Sequence, residues 1–464
     1  MTDTIRCISP VDGSVYAERP LAADAEIAAA LVAARAAQRD WRRVPIAERA
    51  QICEAAVAAM LAMTDEIVPE LAWQMGRPVR YGAGELRGFA ERARYMIGIA
   101  EAALAPLDPG EKAGFRRWIS REPLGLVLVV APWNYPYLTA VNSVVPALMA
   151  GNAVVLKHAA QTLLVGERFQ QAFDRAGLPD GLFRTLVLSH AQTARLLAAR
   201  AFDQANFTGS VDGGRAIEAA SAGTFAGVGL ELGGKDPAYV RADCDLAYAV
   251  ENLVDGVLFN SGQSCCGIER IYVHADRYAQ FVAGFVDLAN TYVLDTPLDA
   301  ATTLGPMIRP QAAEFVRAQV TAAVQRGART LIDTQKFPRD AAGSAYMAPQ
   351  VVVDVTHGMS LMRDESFGPV VGIMQVADDA EAVALMNDSP FGLTASIWTE
   401  DADAAAVLGA EIETGTVFMN RCDYLDPALA WTGVKDTGRG VTLSALGYAA
   451  LTRPKSYHLR TAIR

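Results

Sequence analysis

The chain has 464 residues, 52% of them hydrophobic, 20% charged and 8% aromatic. That is enough apolar material for two or three domains of roughly 150 residues each, and it excludes a disordered or low-complexity protein. Lys and Arg total 41 against 52 Asp and Glu, a net charge of −11 without any basic cluster, so neither nucleic acid nor an anionic membrane is an expected partner.

The opening Met-Thr-Asp-Thr-Ile-Arg lacks the apolar run of an export signal. The first hundred residues read as helical. From Leu86, apolar side chains recur at Phe89, Ala90, Ala93, Met96, Ile97 and Ala100, a stripe packed on one face, and Gly76-Arg77-Pro78 breaks the chain before it. From about residue 124 the texture changes. Strand-like runs at 126–131, 153–157, 183–188, 205–208 and 228–231 alternate with helix-like segments, which predicts a doubly wound parallel sheet. A second α/β run follows over 240–420. The last ten residues, 455–464, alternate polar and apolar and read as a terminal strand.

The most apolar stretch, 124–156, is interrupted by Pro132, Asn134, Pro136, Asn142, Pro146 and Gly151, so a membrane span is not expected. The six cysteines, at 7, 53, 244, 265, 266 and 422, form no CxxC pair, and no HExxH occurs. A cytoplasmic enzyme with reduced thiols and no metal is expected.

Gly82-Ala-Gly84 and Gly227-Val-Gly229 reach their next glycines at 88 and 233, one residue too far for the dinucleotide fingerprint. Phe207-Thr-Gly209-Ser210 is better placed, after a strand and before a helix, where backbone N–H groups favour a phosphate; an ordinary capped turn has the same appearance. Asn260-Ser-Gly-Gln-Ser-Cys265-Cys266-Gly267 carries two adjacent thiols on a flexible polar loop. A thiol of ordinary pKa is only slightly ionised at neutral pH, so a nucleophile there needs a base or local positive potential. Glu231 ends an apolar strand inside Leu-Glu-Leu-Gly-Gly-Lys. Two readings stand open: a strand-end salt bridge with Lys235, or a desolvated carboxylate whose raised pKa makes it a general base. Pro132-Trp133-Asn134-Tyr135-Pro136 follows the first strand of the sheet, at the edge where open α/β sheets bind ligands, and an Asn amide there suits an oxyanion.

Pro-Trp-Asn-Tyr-Pro, Phe-Thr-Gly-Ser, Leu-Glu-Leu-Gly-Gly-Lys, Gly-Gln-Ser-Cys and Glu365-Ser-Phe-Gly-Pro369 occur in the order and rough spacing of the NAD(P)-dependent aldehyde dehydrogenase superfamily, and the resemblance runs from about residue 8 to 460. It implies an aldehyde-dehydrogenase-like α/β fold: two doubly wound domains, a cofactor domain (1–104 and 122–233) and a catalytic domain (234–450), with a small β oligomerisation arm (105–121 and 451–464). It also implies a homodimer or homotetramer. By similarity, Cys265 is the nucleophile, Asn134 with the Cys265 N–H holds the oxyanion, and Glu231 activates the water that hydrolyses the thioester. Trp133, Lys157, Gly209, Ser210, Glu365 and Phe367 match cofactor-binding positions, with Lys157 at the adenosine ribose, Ser210 at the pyrophosphate and Glu365 at the nicotinamide ribose. Tyr135, Thr139, Asn142, Phe259, Ser264, Tyr424 and Leu425 match the substrate funnel.

Two departures matter. Many NAD-preferring members carry a glutamate three residues after the lysine; here the position is Ala160, which leaves Lys157 and His158 free to meet a 2′-phosphate, so NAD or NADP is the expected cofactor. The common Pro-Phe-Gly-Gly-x-Lys is Ala430-Trp-Thr-Gly-Val-Lys435, a change at the substrate entrance. The funnel's aromatics and few charges favour an uncharged aliphatic or aromatic aldehyde over a semialdehyde acid, which would want an arginine; Arg421 is the nearest candidate. Rival readings are a CoA-acylating aldehyde dehydrogenase, against which Glu231 argues, and a cofactor-independent thiol esterase. Vicinal Cys265 and Cys266 also raise the idea of an oxidation-sensitive site.

Overall fold

The computed structural model describes residues 3–462. It opens with a hairpin, Thr4–Ile8 antiparallel to Val15–Pro20, where the sequence reading had only helix. The overlooked signal is Pro10-Val-Asp-Gly13, a turn between two short runs, with Gly13 at φ +79° and Ser9 N–H donating to Ser14 O at 2.8 Å. Four helices follow, Asp24–Trp41, Ile46–Leu61, Thr64–Met75 and Val79–Leu104.

The first sheet has six strands, ordered Gly438–Arg439, Gly227–Glu231, Gln204–Thr208, Leu126–Val130, Ala153–Lys157 and Phe183–Thr185, all parallel except the first. Leu126–Val130 and Ala153–Lys157 are buried at every position. That is why they read as unbroken apolar runs: helices cover both faces of a parallel sheet. The second sheet has seven strands, with Asp236–Val240 and Ile268–His274 at its centre and Val370–Val376 beside them, and only Arg329–Thr330 runs antiparallel.

The expected catalytic segment, 234–450, is not wholly in the second unit. Gly438–Arg439 pairs with Gly227–Glu231 of the first sheet, and Trp431, Leu443 and Tyr448 join the first core. Tyr448 anchors this return by donating its hydroxyl to Met96 O at 2.7 Å. The arm is a two-stranded ribbon, Phe115–Pro123 against Thr452–Arg460, with Trp118 stacked on Tyr457 at 4.2 Å. Its first strand starts ten residues later and ends two later than the expected 105–121, and its second lies within the expected 451–464, whose end at 463–464 lies outside the described residues. Among those described, no helix is long and apolar enough to cross a membrane, and no cluster of His, Cys, Asp or Glu could hold a metal ion.

Candidate active site

Parallel pairing in register fixes where the functional groups emerge. Thr208 lies opposite Glu231, and Val130 opposite both Phe207 and Lys157. The carboxyl ends of four adjacent strands therefore present Glu231, the Thr208-Gly209-Ser210 turn, the Trp133-Asn134 loop and Lys157 in one row, the usual ligand edge of such a sheet. The second sheet meets this row with its amino ends: the Cys265 loop leads into Ile268–His274, and Glu365-Ser-Phe367 leads into Val370–Val376. A cavity of about 460 Å³ lies against the first sheet's row, lined by Glu231 and Thr208 on one side and Ser264, Cys265 and Cys266 on the other.

The thiol loop is bent by three successive residues in the left-handed region, Asn260 (φ 54°), Ser261 (φ 58°) and Gly262 (φ 69°). Gly262 is required: a Cβ there would sit 2.1 Å from Gly368 O. Gln263 fixes the bend, its Oε1 accepting from Ile308 N–H at 2.7 Å and its Nε2 donating to Asn260 O at 3.1 Å. The two thiols are unequal. Cys265 is partly exposed, whereas Cys266 is buried and donates to Asp423 Oδ1 at 2.9 Å. Its contact with Cys265 and its burial push the Cys266 thiol far above the ordinary range.

Glu231 makes no salt bridge with Lys235. Lys235 is buried against Glu269, Nζ to Oε2 at 2.5 Å, and Glu231 instead accepts from Thr208 Oγ1 (2.9 Å, at Oε2) and Thr442 Oγ1 (2.5 Å, at Oε1). Burial raises its pKa, opposed by the two hydroxyls and by Arg92. This is the desolvated carboxylate of the two open readings. Asn134 is buried, and its Nδ2 donates to Gln263 O at 3.2 Å, which ties it to the thiol loop two residues before Cys265.

Sequence reasoning missed what holds this loop. Arg77 is a buried side chain paired with Glu85; its Nη2 donates to Asn134 O at 2.6 Å and its Nε to Asn260 Oδ1 at 3.1 Å. Glu85 Oε1 accepts the N–H groups of Tyr137 (2.9 Å) and Leu138 (3.0 Å), which are orphan donors at the start of the helix Pro136–Met149. One ion pair thus joins both loops of the site. The signal was present in Glu85 and Arg92, seven residues apart on the stripe that packs inward.

The cofactor positions form a second group. Ser210 caps the helix Val211–Ser221 by accepting from Gly213 N–H at 3.2 Å. Trp133 and Phe367 meet edge to face, with centroids 5.6 Å apart. Glu365 accepts from Gly234 N–H at 2.9 Å, and burial with the charge of Glu269 lifts its pKa to about 8. Gly209 and Gly233 leave room that a side chain would fill: added Cβ atoms would come within 2.6 Å of the Phe207 ring and 2.4 Å of the Glu365 carboxylate. Lys157 is buried at its strand end and forms no ion pair among the described residues. A cation, a helix N-terminus, an aromatic pair and a carboxylate along one edge fit a dinucleotide. His158 does not share this task. It is buried with Nε2 3.2 Å from Pro136 O and Nδ1 accepting from Ala159 N–H at 2.9 Å, and burial lowers its pKa to about 4, so it is neutral and turned inward. Of the two glycine leads, Gly88 packs against Leu138 and Gly229 against Asn206, while Gly233 ends the second lead against Glu365.

Of the funnel residues, Tyr135, Thr139, Phe259, Ser264, Tyr424 and Leu425 line the cavity. Asn142 does not: it is buried behind the wall, its Oδ1 accepting from Arg92 Nη1 at 3.4 Å. Arg421 is not at the wall either; its guanidinium stacks 3.5 Å above the Tyr424 ring. Charged groups the sequence reading did not include are there instead, namely Arg77, Glu85, Arg92 and Asp423 within and Arg87, Glu91 and Asp255 at the exposed mouth.

The sequence profile of the aldehyde dehydrogenase family matches residues 1–457. A succinate-semialdehyde dehydrogenase [NADP(+)] of Mycobacterium avium is 36% identical over 455 residues, covering 97% of this chain and 96% of that protein. A 3,6-anhydro-alpha-L-galactose dehydrogenase of Streptomyces coelicolor is 35% identical over 99% of this chain and 94% of its own length. Among solved structures, an NAD-dependent aldehyde dehydrogenase from Sinorhizobium meliloti superposes with a TM-score of 0.94 at 32% identity, covering 100% of this chain and 92% of that one. The chain belongs to the aldehyde dehydrogenase family and is an oxidoreductase acting on the aldehyde group.

Proposed function

We propose that this enzyme oxidises its aldehyde to the free carboxylic acid with Cys265 as nucleophile, Glu231 as general base and Asn134 as oxyanion donor, using NAD or NADP. The observation that carries the reading is the pairing of a partly exposed Cys265 with a half-buried Glu231, whose pKa desolvation raises, across one cavity. Cys265 Sγ, as the thiolate that the last step regenerates, adds to the carbonyl carbon, and the oxygen takes up its negative charge against the Asn134 amide and the Cys265 N–H. The bound dinucleotide supplies the hydride acceptor for that carbon. The acyl group is then a thioester on Sγ. Glu231 removes a proton from water, the hydroxide adds to the thioester carbon, and the C–S bond breaks to release the acid and the thiolate.

Lys157, Trp133, Gly209, Ser210, Glu365 and Phe367 hold the dinucleotide in this reading. Ala160 opens the turn Ala160–Thr162 directly after the Lys157 strand, so no carboxylate stands there to repel a 2′-phosphate, which supports use of NADP as well as NAD. The two-stranded arm, whose strand Thr452–Arg460 has an unpaired outer edge among the described residues, supports assembly into a homodimer or homotetramer. Light scattering on the purified enzyme reads that mass directly.

The test is absorbance at 340 nm with a panel of aldehydes, run separately with NAD and NADP, for wild type and Cys265→Ala. Reduced cofactor formed by the wild type alone supports the assignment. Turnover only with added CoA would replace hydrolysis by acyl transfer, and ester cleavage without cofactor as the sole activity would make the enzyme a thiol esterase.

A further inference from the structure

The cavity holds one buried cation with no carboxylate hydrogen-bonded to it among the described residues. Arg92, on the helix Val79–Leu104, is buried and lines the cavity beside the Cys265 loop. Its Nη1 donates to Leu138 O at 2.9 Å and Asn142 Oδ1 at 3.4 Å; Nε and Nη2 make no hydrogen bond to the described residues. Arg77 on the same wall is neutralised by Glu85, but Arg92 has no carboxylate partner among the described residues. The acids nearby are engaged elsewhere. Glu85 serves Arg77 and the helix start, Asp423 accepts from Ser264 and Cys266, and Glu231 accepts from two threonines. Two further buried donors have no acceptor, Asn142 Nδ2 on the residue that Arg92 touches and Tyr135 Oη in the cavity wall.

A buried guanidinium is costly unless an anion completes it, and its planar fork matches a carboxylate. We propose that Arg92 is the specificity-determining residue that receives the far-end carboxylate of a short ω-oxo acid while its aldehyde carbon meets Cys265. The inference rests on the aldehyde-oxidising reading above and replaces the expectation of an uncharged substrate. That expectation looked for an arginine near Arg421, whereas the cavity takes its arginine from a helix more than three hundred residues earlier in the chain.

The experiment compares kcat/KM for 4-oxobutanoate and butanal in wild type, Arg92→Met, Arg92→Lys and, as control, Arg94→Met on the exposed side of the same helix. Calorimetric titration of each protein with glutarate supplies a readout free of turnover. The expected result is a wild-type preference for 4-oxobutanoate of about 100-fold or more, lost in Arg92→Met, reduced by about tenfold in Arg92→Lys and kept in Arg94→Met. Glutarate binding should weaken in the same order. Equal use of the two aldehydes by the wild type, or an unchanged ratio in both Arg92 variants, overturns the proposal. If Arg92→Met does not fold, Arg92→Lys decides. Failure of every aldehyde with Arg92-dependent glutarate binding intact would overturn the reaction and leave the anion site standing.

Discussion

Thr442 Oγ1 donates to Glu231 Oε1 at 2.5 Å, although the two residues are 211 positions apart and Thr442 belongs to the segment that returns to the first sheet at Gly438–Arg439. The late return of the chain therefore tunes the residue proposed to take a proton from water. Hydrogen bonds to a carboxylate favour its charged form, so Thr442 and Thr208 work against the burial that raises the Glu231 pKa. Base catalysis needs the carboxylate, so the rate rises with pH through that pKa. Removing a hydroxyl moves the limb upward. Thr442→Val should shift the acidic limb of the kcat profile to higher pH and lower kcat at pH 7 by roughly tenfold, with little loss on the alkaline side. A pH profile of Thr442→Val that overlays the wild type would remove this role.

Glu231→Gln separates the two halves of the reaction. The amide fills the same space and still accepts from Thr208 or Thr442, but it takes no proton. In the proposed mechanism acylation of Cys265 does not use it, so rapid mixing should give a burst of reduced cofactor of about one per site, followed by turnover slowed by roughly 10²–10⁴. Absence of a burst, with the first turnover slowed as much as the rest, would place Glu231 in the first half instead.

The buried pair of Arg77 and Glu85 holds the Asn134 loop, the Asn260 bend and the start of the helix Pro136–Met149 together. Removing one partner strands the other without water or counter-charge. Arg77→Met and Glu85→Gln should each cost about 3–5 kcal/mol, read as a lowered thermal midpoint, with kcat reduced because Asn134 is no longer fixed. A variant equally stable and equally active would show that the loop holds itself.

These three cases also mark what a sequence reader can and cannot see. The buried strands of the first sheet, the Cys265 loop and Glu231 at its strand end were legible because a both-face-buried strand is continuously apolar, and a lone acid or a Gly/Ser/Gln-flanked thiol stands out against it. Arg77, Arg92, Asp423 and Thr442 were not. Their roles depend on which distant backbone they meet, and Arg77 stood in a Gly-x-Pro that read only as a chain break. Lys235 misled for the same reason: it is four residues from Glu231 in sequence, yet the strand starting at Asp236 turns it toward Glu269, on the neighbouring strand. The N-terminal hairpin was lost because two runs of five and six residues are too short for periodicity to register beside four helices.

The adjacent thiols should respond differently to replacement. Cys265→Ala removes the proposed nucleophile, and activity should fall more than about 1,000-fold. Cys266 is buried on Asp423, so Cys266→Ser, which keeps a donor there, should retain most of the activity. Peroxide sensitivity then reports whether the neighbour matters: if oxidation joins the two sulfurs, Cys266→Ser should change the rate or the dithiothreitol reversal of inactivation. Identical inactivation and recovery in wild type and Cys266→Ser would confine the chemistry to Cys265.

Cofactor choice turns on the end of the strand Ala153–Lys157. Lys157 is buried without a counter-ion among the described residues, and desolvation lowers its pKa, so an added phosphate would both pair with it and favour its charged form. Ala160→Glu puts a carboxylate where a 2′-phosphate would lie in this reading. It should cut kcat/KM with NADP by about tenfold or more while leaving or improving that with NAD, because a free 2′-hydroxyl can donate to the new oxygen. Lys157→Met should reduce use of NADP more than use of NAD. His158→Gln should not alter the ratio, since the imidazole is neutral and bound to Pro136 O. A ratio unmoved by both Ala160→Glu and Lys157→Met would place discrimination elsewhere on the edge, beyond the reach of these two side chains.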